Sequence, residues 1–596
     1  MSTLEQIKHV HRDIDGVLWE GEDEDDIVQQ FPKLYSDRIM KTEENPVLRY
    51  ECRGWRQTGG CDPKGPREDK NDKACHEAVQ GGSSGYCEFY DPVTNSIERL
   101  LESTCTTFRG DATFSCSMAK DILMFSKHAD NYRHPYLIQG ANDSLKFINH
   151  SEYNGVVQYL DGSGAQTTVS TEKKWYQQYL SDKYEYPEYG IVMVVYEKAL
   201  VSLFASIKLL RTYHKSTLPI ELWYRQDELP KDHPVIVALL RDFRDIRLRE
   251  IKDPRAVHFY VKPYVIFFSH FQNILFLDAD NFPLRDPEYL FATPEFQDTG
   301  ALFWPDFWHP KETIFNIHDD SMLWTMLNIS FVDMFEQESG QLVINRAKHE
   351  QALHMLMFYA FHRISPQPQP EIVGLNTSPP PTTPVEESDF EPVEDLGENP
   401  LPQDTNLIQA LKLAWGDKDL FRFAWMKTNS SFYMIPKPPG SLGLWGWIKY
   451  MRPDATPFQR YCGQSMLQYD TTGEMLFLHR NTIKLNEKKE SRSKIWQYIQ
   501  EFRETSSTSN YTIKCWVENT YSCFGVTEGF NSAFTGQVVT PAVEALEDAI
   551  IAYADEAAEV LPPTPAPTTA MVNGSSDAEH LIPNMHHGRK RDRSLR

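Results

Sequence analysis

No run in this sequence stays apolar for the roughly 18–20 residues that a membrane-spanning helix needs. The nearest, GIVMVVYEKALVSLFASIKLL from Gly190, carries Glu197 and Lys198 in its middle and reads as a strand, Ile191 to Tyr196, followed by a helix. The opening residues, MSTLEQIKHVHRDIDG, lack the apolar centre of a secretory signal. Net positive charge is also scarce: 60 Lys and Arg face 84 Asp and Glu, a formal charge of −24. That balance argues against a nucleic-acid backbone as partner, because phosphate binding needs a basic face. Among the nine cysteines no two are spaced closely enough for a zinc-finger pair.

What is present divides the chain into distinct stretches. Residues 1–48 are polar, with the acidic run EGEDEDD from Glu20, and predict a solvated, disordered leader. Residues 49–135 hold Cys52, Cys61, Cys75, Cys87, Cys105 and Cys116 in a Gly-, Pro- and Asp-rich context with few long apolar runs. Such a segment builds little core and predicts three internal disulfides. The pairing stays open, because six cysteines allow 15 connectivities. Cys515 and Cys523 are expected to pair with each other, leaving Cys462 alone.

Between 185 and 530, apolar runs such as GIVMVVY, IELWYR, HFQNILFLDAD, GALFWPDFW, GQLVINR, SFYMI and MLFLH alternate with helical patterns at Ala199–Tyr213, Pro234–Phe243 and His349–Phe361. Alternation of this kind predicts an α/β domain with a mostly parallel sheet. Residues 364–404 hold ten prolines and nine acids without one Lys or Arg, which predicts a disordered insertion looped out of that domain. Residues 541–596 offer one helical stretch, VEALEDAIIAYADEAAEVL, then a disordered linker and the basic tip HHGRKRDRSLR, read as a tail rather than a nuclear signal.

The chemistry starts at NILFLDADNFPLRDP. An apolar strand buried on both faces ends in Asp278 and Asp280. Alternation along a strand would point both acids to one side, and two anions held so close need a proton or cation between them. Calcium of the EF-hand kind is excluded because Phe282 and Pro283 stand where the loop needs an acid or amide and then Gly. A phosphatase of the D-x-D-x-T kind fails at the same Phe282. A D-x-D that holds Mn²⁺ or Mg²⁺ against a sugar diphosphate remains, and oxygen ligands suit such hard cations. So does an ordinary turn.

The motifs around it carry a resemblance. Lys262 begins the helix KPYVIFFSHF that feeds the strand. Downstream follow ALFWPDFWHP, ESGQLVINR, GDKDLFRFAW and FLHRNTIK. In this order, from Gly190 to Lys484, they resemble the fungal α-mannosyltransferase family (α-1,2/α-1,3 type) that extends mannan and outer chains. The resemblance implies a GT-A-type nucleotide-sugar transferase domain with a Rossmann-like mixed sheet, here preceded by the Cys-rich module. It implies that His479 completes the metal site with Asp278 and Asp280, and that Asp417, Lys418 and Gln341 lie beside the reacting sugar. Lys262 and Gly340, with the two acids, are the candidates for holding the donor. Trp304, Phe307 and Trp308 are candidates for stacking on a sugar face, or else a core cluster.

The implied reaction is metal-dependent, retaining transfer of mannose from GDP-mannose to a hydroxyl of a mannose-containing glycan or glycoprotein. The alternatives are a UDP-sugar transferase (glucose, galactose or N-acetylglucosamine) on the same fold and a catalytically dead carbohydrate-binding protein. Sequons at Asn142, Asn149, Asn328, Asn376, Asn429, Asn510 and Asn573, with the cysteines, favour a secretory lumen. The resemblance makes that the Golgi lumen and a type II membrane protein, whose anchor is expected to precede a truncated start.

Overall fold

Side-chain alternation builds the central sheet. The computed structural model of the chain describes residues 46–131, 188–362 except 244 and 254, 406–448, 458–503, 510–518, 521–526 and 533–561. It also describes two short strand pairs between 138 and 170. Seven strands lie side by side in the order Ile246–Glu250, Ile220–Tyr224, Tyr189–Val195, Asn273–Leu277, Gln337–Asn345, Ala301–Pro305 and Tyr433–Met434. The first four are parallel. Gln337–Asn345 then runs antiparallel to both of its neighbours. Ile191, Met193, Leu275, Leu277 and Val343 enter one core, whereas Val192, Ile274, Phe276, Leu342 and Ile344 enter the other. A sheet covered on both faces explains why these strands read as unbroken apolar runs.

The helices Leu200–Lys208, Pro234–Asp242 and Pro541–Val560 cover one face. Beside them packs a second, antiparallel sheet that includes Asn281–Pro283, Met475–His479, Phe458–Tyr469 and Gly440–Ile448. The helices Val261–Phe268, Glu350–Phe361 and Leu420–Lys427 cover the other face. The expected class, a mixed α/β domain behind a disulfide module, is the observed one. All three helices are shorter than their sequence patterns: the first passes into a wider turn at Leu209–Tyr213, the second ends at Asp242, and the third begins at Glu350.

The C-terminal helix is a part of the domain rather than an appendage. Pro541 occupies its first turn, and the Thr540 hydroxyl accepts from Val543 N to cap it. Its Val543, Leu546 and Ile550 enter the core, and buried Glu547 accepts from the backbone of Ile495 and Trp496.

In the Cys-rich module, Glu51–Thr58, Ser84–Asp91 and Ser96–Ser103 form an antiparallel sheet followed by the helix Ala119–Asn131. Its disulfides are Cys52–Cys75, Cys61–Cys105 and Cys87–Cys116, all internal as expected. The module shares a core with the α/β domain: Phe125 lies 5.0 Å from the Phe358 ring and stacks on Tyr359 at 5.9 Å.

The expected Cys515–Cys523 pair does not form. Cys515 lies opposite Phe524 and Trp516 opposite Cys523 on paired strands. Cys515 and Cys523 therefore face opposite sides of the sheet. Gly463 lies opposite Phe524 on the next strand, which turns Cys462 to the side of Cys523, and those two are bonded. Cys515 is a free thiol. The leader up to 45, the insertion 364–404, the tail beyond 561 and Asn142, Asn149, Asn376 and Asn573 lie outside the described residues. Asn328, Asn429 and Asn510 are exposed.

Candidate active site

Asp278, Asp280 and His479 meet where the two sheets join. The strand Asn273–Leu277 ends just before the acids, and Asn281 N closes a turn onto Asp278 O at 3.1 Å. The chain then enters the second sheet as Asn281–Pro283, where Asn281 lies directly opposite His479. Convergence of the acids thus comes from the turn between sheets, not from alternation along one strand. One ligand atom from each of the three residues lies within 4.8 Å of the other two.

Lysines flank the acids. Lys262 Nζ reaches Asp278 Oδ2 at 2.8 Å and Ser339 Oγ at 3.1 Å. Lys484 Nζ reaches Asp280 Oδ2 at 2.7 Å. His479 Nε2 lies 3.4 Å from Asp280 Oδ1, and its Nδ1 lies 3.8 Å from Glu338 Oε1. Glu338 also accepts from Gly340 N at 2.8 Å and from Lys418 Nζ at 2.6 Å, and Lys418 reaches Asp306 at 2.6 Å.

Burial and charge split the carboxyl groups. Burial raises Asp278, with Asp280 adding to it against Lys262. Asp280 is held low, because Lys484 and His479 overcome its burial. Glu338 is likewise buried but held at about 2 by Lys418, His479 and Lys262. Burial lifts Asp417 to about 6, with Lys262 opposing and Asp278 reinforcing. His479 is raised despite burial, chiefly by Asp280.

The predicted residues divide by position. Lys262, Asp278, Asp280 and His479 come together. Gly340 lies against the histidine: a Cβ there would stand 2.7 Å from His479 Nδ1. Asp417 is buried at the rim of the cluster, neither oxygen forming a hydrogen bond of ordinary geometry among the described residues. Lys418 joins through Glu338. Gln341 is fully buried, and its amide is taken up by Asn281 and Gln468. The aromatic candidates for sugar stacking are core residues. Trp304 is completely buried with its N–H on Tyr469 O at 2.7 Å, Phe307 stacks on Phe524, and Trp308 is buried beside it.

Sequence reasoning missed Glu338, Lys484, Asp306 and Tyr196, whose phenol senses Lys484, Asp280, Asp278 and Lys262. Lys484 and Glu338 stand inside the motifs FLHRNTIK and ESGQ, but only the fold shows which acid each one meets.

Residues 188–371 match the mannosyltransferase family model Mannosyl_trans3. This stretch is similar to the mannosyltransferase family. It carries the strand of the two acids, the ESGQ motif, which lies in the strand Gln337–Asn345, and Lys262, so the resemblance to fungal α-mannosyltransferases is borne out. The α-1,2-mannosyltransferase MNN5 of Saccharomyces cerevisiae is 36% identical over 126 residues, covering 20% of this chain and 21% of that protein. The α-1,2-mannosyltransferase MNN2 of the same yeast is 25% identical over 381 residues, covering 56% of this chain and 58% of that protein. The matches thus span about a fifth and just over half of those relatives. Among solved structures, mouse xyloside xylosyltransferase 1 is 14% identical with a TM-score of 0.23, covering 42% of this chain and 85% of that one. The galactosyltransferase LgtC has the same identity, 14%, and TM-score, 0.23, over 28% of this chain and 64% of its own. No described helix is long and apolar enough to cross a membrane.

Proposed function

We propose that this chain is a metal-dependent, retaining glycosyltransferase that moves mannose from GDP-mannose to a hydroxyl of a mannose-containing glycan. The observation that carries this reading is the convergence of Asp278, Asp280 and His479 within 4.8 Å, the two acids lying in a segment similar to the mannosyltransferase family. Two carboxylates and an imidazole are a donor set for Mn²⁺ or Mg²⁺. The fit is supported by a further feature: the carboxylates of Asp278, Asp280, Glu338, Asp306 and Asp417 outnumber Lys262, Lys418 and Lys484. Asp278, Asp280 and His479 would hold the ion, which supplies Lewis-acid neutralisation of the donor diphosphate.

The chain's own residues do the rest. Lys262 and Lys484, each paired with one of the two acids, are the cations that meet the phosphate oxygens. Gly340 has no side chain between His479 and the donor, so the backbone approaches the sugar closely. Asp417 and Lys418 stand beside the reacting sugar, with Lys418 also holding Glu338 in place. Gln341, fixed between Asn281 and Gln468, positions its strand. In a same-face reaction the leaving phosphate takes the acceptor proton, so no separate base is required and the α-configuration is kept. The compartment in this reading is the Golgi lumen, supported by the disulfides and the exposed sequons.

The test incubates purified protein with mannobiose, Mn²⁺ and a panel of GDP- and UDP-sugars. Mannose transfer from GDP-mannose, abolished by a chelator and restored by Mn²⁺, is the expected result. Transfer from a UDP-sugar alone overturns the donor; no transfer from any donor overturns the activity.

A further inference from the structure

Few large apolar side chains stand in solvent among the described residues, and one of them borders the candidate site. Phe259 is 44% exposed. It lies in the short turn His258–Tyr260 that leads into the helix Val261–Phe268, three residues before Lys262. Residues three apart on a helical path share a face, so the Phe259 ring stands one turn outward from the lysine that holds Asp278. A second path leads to the same place. Gly416 has φ +55°, and a Cβ on it would stand 3.0 Å from Phe259 Cγ, so the ring lies directly against the glycine backbone. The next residue is Asp417, whose charge is felt by Lys262 and Asp278. The preceding residue is Trp415, partly exposed. Two aromatic residues therefore adjoin one glycine, which directly precedes Asp417.

Trp415 is linked to the disulfide module through Phe315. Its indole meets Phe315 edge-on at 4.9 Å, and the Arg109 guanidinium lies 5.0 Å over that Phe315 ring. Arg109 also donates to Ile314 O, and Lys412 reaches back to Asp111 at 3.1 Å. The segment from Lys412 to Lys418 is thus tied to residues 109–111 of the module.

A pyranose presents a patch of C–H groups on one face and hydroxyls at its edges. Exposed rings beside acids and lysines suit that mixed surface. The donor diphosphate belongs inward, at the acids proposed to hold the metal. An acceptor glycan enters from solvent and continues into it, which calls for a rim position. Resting on the transferase reading above, we propose that Phe259 and Trp415 form the subsite for the acceptor mannose, and that the disulfide module positions Trp415 through Arg109 and Phe315.

The experiment measures mannobiose binding to the full chain by saturation-transfer NMR, and separately the KM for mannobiose and for GDP-mannose. Phe259→Ala and Trp415→Ala should each raise the acceptor KM on the order of tenfold, the scale of truncating an aromatic contact. Both should weaken saturation transfer to mannobiose while the KM for GDP-mannose stays within about twofold. Phe259→Tyr should keep near wild-type acceptor binding, which separates stacking from a general loss of fold. Arg109→Ala should raise the acceptor KM less than Trp415→Ala. Wild-type protein that transfers mannose, with acceptor KM unmoved in Phe259→Ala and Trp415→Ala, overturns the subsite alone. A rise confined to the KM for GDP-mannose overturns it too, by making these rings part of the donor site. Wild-type protein that neither transfers mannose nor shows saturation transfer to mannobiose overturns the proposed function and the subsite with it.

Discussion

Glu338 stands across the His479 ring from Asp280, with Oε1 3.8 Å from Nδ1 while Asp280 Oδ1 lies 3.4 Å from Nε2. One ring nitrogen thus faces an acid proposed to hold the metal and the other a carboxylate that is not a proposed ligand. A carboxylate behind a ligating histidine fixes its tautomer and orientation, and losing it typically costs 10–100-fold in metal affinity, roughly. Glu338→Gln should therefore weaken Mn²⁺ binding on the order of tenfold or more, read as free Mn²⁺ by electron paramagnetic resonance. A merely structural Glu338 would lower the unfolding midpoint of metal-free protein and leave Mn²⁺ affinity alone.

The pH dependence of stability should carry a signature of Asp417. Burial, helped by Asp278, lifts its folded-state value to about 6 from an ordinary 3.8. A carboxyl with a raised folded value favours folding when protonated, so stability is lost as pH rises from about 4 to about 6. Asp417→Asn removes that loss. The mutant should gain up to about 3 kcal/mol over wild type at pH 7 and nothing below about pH 4, by urea unfolding of metal-free protein. An equal difference at both pH values would show that Asp417 does not titrate there.

Much of this site was legible because its signals are local. An apolar strand running into two acids can be seen without a fold, and so can the order of the surrounding motifs. What stayed hidden depends on which face a side chain takes. Asp278 and Asp280 converge through a turn between two sheets, a geometry that strand periodicity cannot express. Trp304 reads as a sugar platform until the second sheet covers it. Cys515 and Cys523 are close in sequence, yet a one-residue register offset sends them to opposite faces. The module's Phe125 and the C-terminal helix carry apolar faces whose partners lie hundreds of residues away, so both looked like separate pieces.

The cysteine assignment is directly measurable. Burial pushes the Cys515 thiol up to about 11, so it should alkylate slowly in native protein and fast in urea. Non-reducing peptide mapping should recover Cys462–Cys523 as a linked pair and Cys515 as the labelled thiol. The bond closes a sequence separation of 61, and removing it with Cys462→Ser should cost about 2–5 kcal/mol. Cys515→Ser should cost far less. A linked Cys515–Cys523 peptide would reverse the register described here.

The two acids proposed to hold the metal should respond differently to the same substitution. Asp280 is ionised at a benefit, held low by Lys484 and His479 against its burial. Asp278 is ionised at a cost, since its burial and Asp280 outweigh Lys262. In metal-free buffer Asp280→Asn should therefore lower the unfolding midpoint, because Lys484 and His479 lose their partner. Asp278→Asn should leave it unchanged or raised, because Lys262 keeps Ser339 and the nearby charges of Asp417 and Glu338. Function should not follow this asymmetry. Either substitution removes a charged oxygen from the proposed ion, and loss of such electrostatic stabilisation commonly costs on the order of 10²-fold in rate. Both mutants should lose Mn²⁺-dependent stabilisation by GDP and cut mannose transfer at least that far, with His479→Ala milder because both acids remain. A fully active Asp280→Asn with a lowered metal-free midpoint would leave the acid as a structural partner of Lys484 and return Asp278-Ala279-Asp280 to an ordinary turn.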